Sequence, residues 1–240
     1  MNHMIRHICG HLRIPIFEPE IVEYENGVPL GSLDDSVHSL INPDGYAYCG
    51  FRSFPNYLES FDLSSYRKIL LIRDPRDILV SHYFSQKFSH GIPPGQLGEK
   101  MQAMRNALAS KSIGQYAIDL SKPLKNKFEK YESMVFDENL KLFRYEDVVF
   151  EKEKWLKEML EFLGLAVPKE LIAGVARQYD KRPTSEDPKQ HVRKVTPGDH
   201  KEKLEPAVIE QLNEIFGEIL NRYDYETTNA NTSGDLRKVG

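Results

Sequence analysis

The sequence predicts a three-layer α/β fold with a mainly parallel sheet, on three observations. Two short apolar runs, Lys68–Arg73 (KILLIR) and Leu140–Phe143 (LKLF), have the length and flanks of buried parallel strands. Around them lie amphipathic stretches long enough to cover both faces of a sheet. The chain has 240 residues, 40% hydrophobic and 28% charged, an ordinary globular balance with room for one sizeable core.

In chain order, Asn2–Leu12 is expected to be a helix, because Met4, Ile5, Ile8 and Leu12 share one face. Ile14–Asp44 is rich in Pro, Gly and Asp and reads as loop, with room for one short helix. Tyr46–Phe54 alternates and reads as a strand. After the Lys68 strand, Asp74 and Pro75 start a helix as N-cap and first residue, with Asp77 in the first turn. His90–Gly98 carries two Pro and three Gly and reads as a mobile loop. Helices are expected over Glu99–Ala109 and Ile113–Tyr131, then the Leu140 strand, ending in RYEDV. Glu151–Leu163 is an amphipathic helix stopped by Gly164, and another helix covers Lys169–Arg177. Lys181–His200 is polar and Pro-containing, a long flexible segment, and Pro206–Arg222 is the last helix. Residues 1–226 form one domain; the polar tail 227–240 is expected to be disordered.

Composition excludes several function classes. A net charge of −4 gives no global field for nucleic acid or an anionic membrane, so any anion site must be local. No apolar run approaches the length of a membrane span. Two cysteines, Cys9 and Cys49, make no disulfide framework and suit a reducing cytoplasm. No His/Cys/Asp spacing points to a metal.

Three places carry possible anion chemistry. In RDPRDILVSHYF, Arg73 ends a strand, where open α/β sheets bind ligands, and Ser81 follows two turns into the helix. Arg offers a planar fork for a phosphate and Ser a hydroxyl donor. The rival reading pairs Arg73 with Asp74 or Asp77 as a plain ion pair. LFRYEDVV puts Tyr145 at the end of the second strand, and HVRKVTPGDHKEKL puts Arg193 and Lys194 in a Pro/Gly segment before a helix.

Together these pieces resemble the sulfotransferases that use 3′-phosphoadenosine 5′-phosphosulfate, over nearly the whole chain. RDPRDILVSHYF is similar to the family's 3′-phosphate motif, FRYEDV to its F-x-YED segment, and RKVTPGDHK to its RKGxxGDWK loop. The resemblance implies a P-loop nucleotide-binding fold of the sulfotransferase type. It implies that Arg73 and Ser81 hold the 3′-phosphate, and that Arg193, Lys194 and the Val195 N–H close over it. It implies that Tyr145 contacts the adenine, with Tyr179 in ARQYDK taking the place of a second aromatic. The implied reaction moves a sulfuryl group from the phosphosulfate donor, without a metal, to the hydroxyl of a small alcohol or phenol. The loops Phe17–Asp44 and Ser85–Gln96 would form the acceptor pocket.

The chain departs from the family pattern in three places. The family's phosphate cradle, PKSGTTW or similar, has no counterpart, and MNHMIRHICG reads like the helix that follows it, so an N-terminally incomplete domain is expected. Ser53, in FRSFPNYL, stands where the family commonly has its His base. Val195 and His200 replace the Gly and Trp of the RKG…GDW loop. A replacement base is sought in His38, flanked by Asp34 and Asp35, with those carboxylates and His82 as alternatives. An inactive relative that only binds the nucleotide is the alternative function, and phosphoryl transfer is disfavoured for want of a cradle or metal-binding acid pair. KEKLEPAVIE keeps Lys201 and Glu210 of a family dimerisation segment but not its Thr-Val pair, so the sequence leaves the oligomeric state open.

Overall fold

The computed structural model describes residues 1–28, 41–42, 44–190 and 192–227. Two short parallel strands form its centre: β3 (Lys68–Ile72) pairs with β4 (Leu140–Arg144) from Lys68↔Leu140 to Ile72↔Arg144. A second parallel pair joins β1 (Ile16–Phe17) to β2 (Ala47–Tyr48). The helices are α1 (Asn2–Leu12), α2 (Pro19–Glu25), α3 (Pro75–Phe84), α4 (Gly95–Ala107), α5 (Ile113–Val135), α6 (Tyr145–Val148), α7 (Lys152–Leu163), α8 (Lys169–Gln178), α9 (Asp199–Lys203) and α10 (Pro206–Arg222). A single π turn, Ser85–Ser89, extends α3. Among the described residues no helix is long and apolar enough to cross a membrane.

Strand alternation builds the three layers. Leu70, Ile72 and Leu142 point into a core made with Leu79 and Val80 of α3, Ala117 and Leu124 of α5, and Leu212 and Phe216 of α10. Ile69, Leu71 and Phe143 point the other way, into a core made with Met4 and Ile8 of α1, Trp155 and Leu156 of α7, and Val175 of α8. Each layer of helices therefore covers one face of the β3–β4 pair. Both strands are covered on two sides, which is why they read as apolar runs.

The helix signals were sound where they were strong. α1 and α10 keep the expected bounds, and Gly164 ends α7 in the left-handed conformation with φ 72°. Three expectations need correction. The strand expected over Tyr46–Phe54 shrinks to Ala47–Tyr48, because the N–H groups of Arg52 and Ser53 turn to Glu20 at 2.8 and 3.2 Å and not to a neighbouring strand. The expected loop Ile14–Asp44 has its short helix, α2, but also the strand β1, which was not expected. His90–Gly98 is not a free loop: α4 already begins at Gly95, and the segment is pinned to the end of α2. Leu97 N–H donates to Gly27 O at 3.1 Å, and Tyr24 OH to Gly91 O at 2.8 Å. Gly27 has φ +66°, and a Cβ there would lie 2.0 Å from the Pro94 carbonyl oxygen. Only glycine allows that approach.

Of the expected disordered tail, Thr227 is described and its carbonyl accepts from Asn213 at 2.9 Å; residues 228–240 lie outside the described residues. His38, Asp34 and Asp35 also lie outside them.

Candidate functional site

Arg73 leaves β3 at its carboxyl end, and Asp74 turns the chain into α3. Asp74 caps the helix by accepting from Arg76 N at 2.9 Å. The same carboxylate holds the Arg76 guanidinium through Nε at 3.0 Å and Nη2 at 2.6 Å. Asp74 is therefore spent on Arg76, and cannot be the partner of Arg73.

Arg73 has only a loose carboxylate neighbour. Its Nη2 lies 3.6 Å from Asp77 Oδ2, and its Nε is buried without a hydrogen-bond partner. The guanidinium instead stacks over the Tyr145 ring, 4.6 Å from the centroid. Tyr145 is the first residue of α6, directly after β4, so the paired strand ends bring the two together. The Tyr145 hydroxyl donates to Val195 O at 3.3 Å, and burial raises its pKa. Thus Arg73, Tyr145 and the Arg193–Val195 segment, scattered in sequence, meet at one place. A half-buried guanidinium with a buried, unmet Nε–H and no carboxylate within hydrogen-bond distance is suited to a bound anion.

The segment carrying Arg193 is fastened by Asp77, which is fully buried with 0% exposure. Asp77 Oδ2 accepts from Gly198 N at 2.7 Å; Oδ1 accepts from His200 N at 2.9 Å and lies 2.6 Å from His200 Nδ1. Burial alone would raise its pKa, but the His200 bonds and the Arg73 charge outweigh it and bring the carboxyl down to about 2. Gly198, with φ 85°, makes the turn that aims these amides at Asp77.

Ser81 lies one turn beyond Asp77 and three residues before Phe84. Both neighbours touch the 193–200 segment: Asp77 through the bonds above, Phe84 through Arg193 stacked 4.1 Å over its ring. The half-buried Ser81 therefore faces that segment from the same side of α3.

Arg193 and Lys194 reach this region, but both are paired with carboxylates. Arg193 Nη1 bonds to Glu186 and Nη2 to Asp199. Lys194 Nζ lies 2.7 Å from Glu202 and 3.4 Å from Asp199. To hold an anion beside Arg73 they must exchange these partners. Tyr179 caps the end of α8, stacked on His3 and edge-on to His7 of α1. Among the described residues it makes no ring contact with Arg73 or Tyr145. His82 points away from Ser81, into α5, where its Nδ1 lies 2.7 Å from the Tyr116 hydroxyl.

Two residues of consequence were missed. Asp77 read as a first-turn acid, because its partners lie more than a hundred positions away and no local spacing reveals them. Glu20 sits in a segment without a motif, yet it gathers the amides of Arg52 and Ser53. A cavity of about 470 Å³ lies behind the Asp77 fastening, lined by Arg76, Arg144, His200, Lys201 and Tyr225 among others. It includes none of the expected site residues, and its cations are occupied. Arg76 is held by Asp74, Asn213 and Glu226 O, Arg144 donates to Asp224 O, and Lys201 pairs with Glu226.

Comparison with known proteins identifies the domain and its fold. Residues 53–224 match the family model described as the sulfotransferase domain. Among solved structures, the chain is similar to the crystal structure of mouse sulfotransferase SULT7A1 complexed with PAP. The TM-score is 0.52 at 16% identity, over 93% of this chain and 79% of that one. That likeness speaks for the fold. No curated protein matches the chain. The matched segment spans more than two thirds of the sequence and holds Arg73, Ser81, Tyr145, Tyr179, Arg193, Lys194 and Val195; the chain belongs to the sulfotransferase family.

Proposed function

We infer that the protein transfers a sulfuryl group from 3′-phosphoadenosine 5′-phosphosulfate to the hydroxyl of a small alcohol or phenol, in the cytoplasm. The observation that carries this reading is Arg73, a cation at a strand end with a buried, partnerless Nε and no tight carboxylate. The 3′-phosphate would complete its hydrogen bonds, with Ser81 on the same wall. Tyr145 would keep the guanidinium plane in place while touching the adenine, and Tyr179 would flank the ring from α8. Arg193 and Lys194 would turn from Glu186, Asp199 and Glu202 to the phosphate, with the Val195 N–H beside them. His38, the proton acceptor expected from the sequence, lies outside the described residues and is one candidate for that role.

The bound donor supplies an activated sulfuryl group on a good leaving phosphate. The chain's own task is to align the acceptor hydroxyl, shed water and take a proton. The two segments expected to hold the acceptor are bolted to each other through Gly27, Leu97, Tyr24 and Gly91, which supports a single preformed wall.

Titration calorimetry with adenosine 3′,5′-bisphosphate and with adenosine 5′-monophosphate tests the reading. Arg73→Ala is expected to weaken the bisphosphate by about ten- to a hundredfold, the loss of a charge-assisted bond of about 1.5–3 kcal/mol. The monophosphate should be almost unaffected. Equal losses for both ligands would refute the 3′-phosphate assignment. Tight bisphosphate binding without turnover toward any phenol or alcohol would favour the inactive, binding-only relative.

A further inference from the structure

A second polar cluster lies along α5, and the nucleotide site makes no use of it. Glu20 is in the first turn of α2, just past the carboxyl end of β1. Its Oε1 accepts the N–H groups of both Arg52, at 2.8 Å, and Ser53, at 3.2 Å. Its Oε2 accepts no hydrogen bond from any described residue. Burial raises its pKa; the two amide bonds and the charges of Arg52 and Lys127 pull back against that rise.

The surroundings make this a placed carboxylate. Tyr131 of α5 donates its hydroxyl to Phe51 O at 2.8 Å, fixing α5 to the segment that holds Glu20, and the charge of Lys127, one turn earlier, acts on the carboxylate. Tyr57, from the turn at Asn56–Leu58, Tyr131 and Glu23 of α2 complete the titratable groups around it. At the other end of the same helix, Tyr116 binds His82, the residue after Ser81. α5 thus touches the expected phosphate-binding helix through Tyr116 and the segment that holds Glu20 through Tyr131. One carboxylate oxygen is used for orientation, and the other is left open for a proton.

On the sulfuryl-transfer reading, we propose that Glu20 is the general base of the reaction. Its Oε2 takes the proton of the acceptor hydroxyl as the acceptor oxygen bonds to sulfur. The bridging S–O bond breaks, and its electron pair leaves with the 5′-phosphate of the nucleotide. The Ser53 and Arg52 amides, with the charges of Arg52 and Lys127, oppose the rise that burial imposes on Glu20.

Glu20→Gln tests this cleanly. The amide oxygen still accepts the Arg52 and Ser53 N–H groups, so the fold and bisphosphate affinity are retained, but the amide cannot take a proton. With 4-nitrophenol and a panel of alcohols, kcat/KM is expected to fall by about 10²–10⁴-fold. The acid limb of the wild-type pH profile, where rate falls as Glu20 protonates, should vanish. A readout independent of turnover is the absorbance of 4-nitrophenol bound with adenosine 3′,5′-bisphosphate. Next to a carboxylate the bound phenol stays protonated to higher pH, so Glu20→Gln should shift its ionisation downward. A variant within threefold of wild type, with an unchanged pH profile and unchanged bound-phenol spectrum, overturns Glu20 as base. Loss in His38→Asn with turnover kept in Glu20→Gln overturns it in favour of His38. A wild-type chain that neither binds bisphosphate nor turns over any acceptor refutes the functional reading itself, and this inference with it.

Discussion

Replacing Asp77 by Asn should release the segment that carries Arg193 and Lys194, and the cost can be worked from the bonds described. In the folded protein the carboxyl is brought from 3.8 to about 2. At roughly 1.4 kcal/mol for each pH unit, ionised Asp77 contributes about 2–3 kcal/mol over its neutral form. Asn forfeits that charge. Its Oδ1 can still accept from His200, but its NH₂ then faces the Gly198 N–H, donor against donor, at a further cost of about 1–3 kcal/mol. The expected loss is about 3–5 kcal/mol near neutral pH, the range for one partner removed from a buried pair. The sign with pH follows. The folded pKa lies below the unfolded one, so the contribution is present above about 4 and is lost as pH falls toward about 2. The gap between wild type and variant should close over that window. Urea unfolding can be followed by the single tryptophan, Trp155, which is buried in the other core and far from the substitution in sequence. Hydrogen exchange at Gly198 and His200 reports the bonds directly. A loss below about 1 kcal/mol, with both amides still protected, would refute this account of Asp77.

Two further outcomes follow from contacts already described. Glu186→Gln should tighten adenosine 3′,5′-bisphosphate binding by roughly five- to tenfold, about 1 kcal/mol, because Arg193 then gives up a weaker partner to meet the phosphate; weaker binding in a titration would mean that Glu186 positions Arg193 and does not compete for it. Gly27→Ala should cost about 2–4 kcal/mol in urea unfolding and expose the Leu97 amide to exchange, since the methyl meets Pro94 O at a left-handed position; a loss under about 1 kcal/mol would show that the α2–α4 junction gives way easily.

What could be read from the sequence divides along physical lines. α1, α3, α7 and α10 announced themselves by apolar spacing and by Asp74-Pro75, Gly164 and Pro206, all local signals. Arg73 and Tyr145 were legible as candidates because strand ends deliver them, and the Arg193 segment only through its RKVTPGDHK motif. β1 and β2 were not legible, since two-residue strands have no period to detect. The start of α4 was hidden by Pro93 and Pro94, which break a helix from inside but here stand just before one. Asp77, Glu20 and the Glu186–Arg193 pair depend on partners brought together only by the fold. They are the places where the sequence suggested a helix acid, a loop acid and a free cation.

The Gly198 fastening also sets the geometry of capture. Arg193 lies five residues ahead of Gly198, so its backbone can range no more than roughly 17 Å from that anchor. On the proposed function, once they leave Glu186, Asp199 and Glu202 the two basic residues act as leashed ligands, confined to a small volume around Arg73. Their effective concentration there is on the order of millimolar or above, before any contact is made. Cutting the leash at Asp77 would dilute them without touching a single atom that meets the nucleotide.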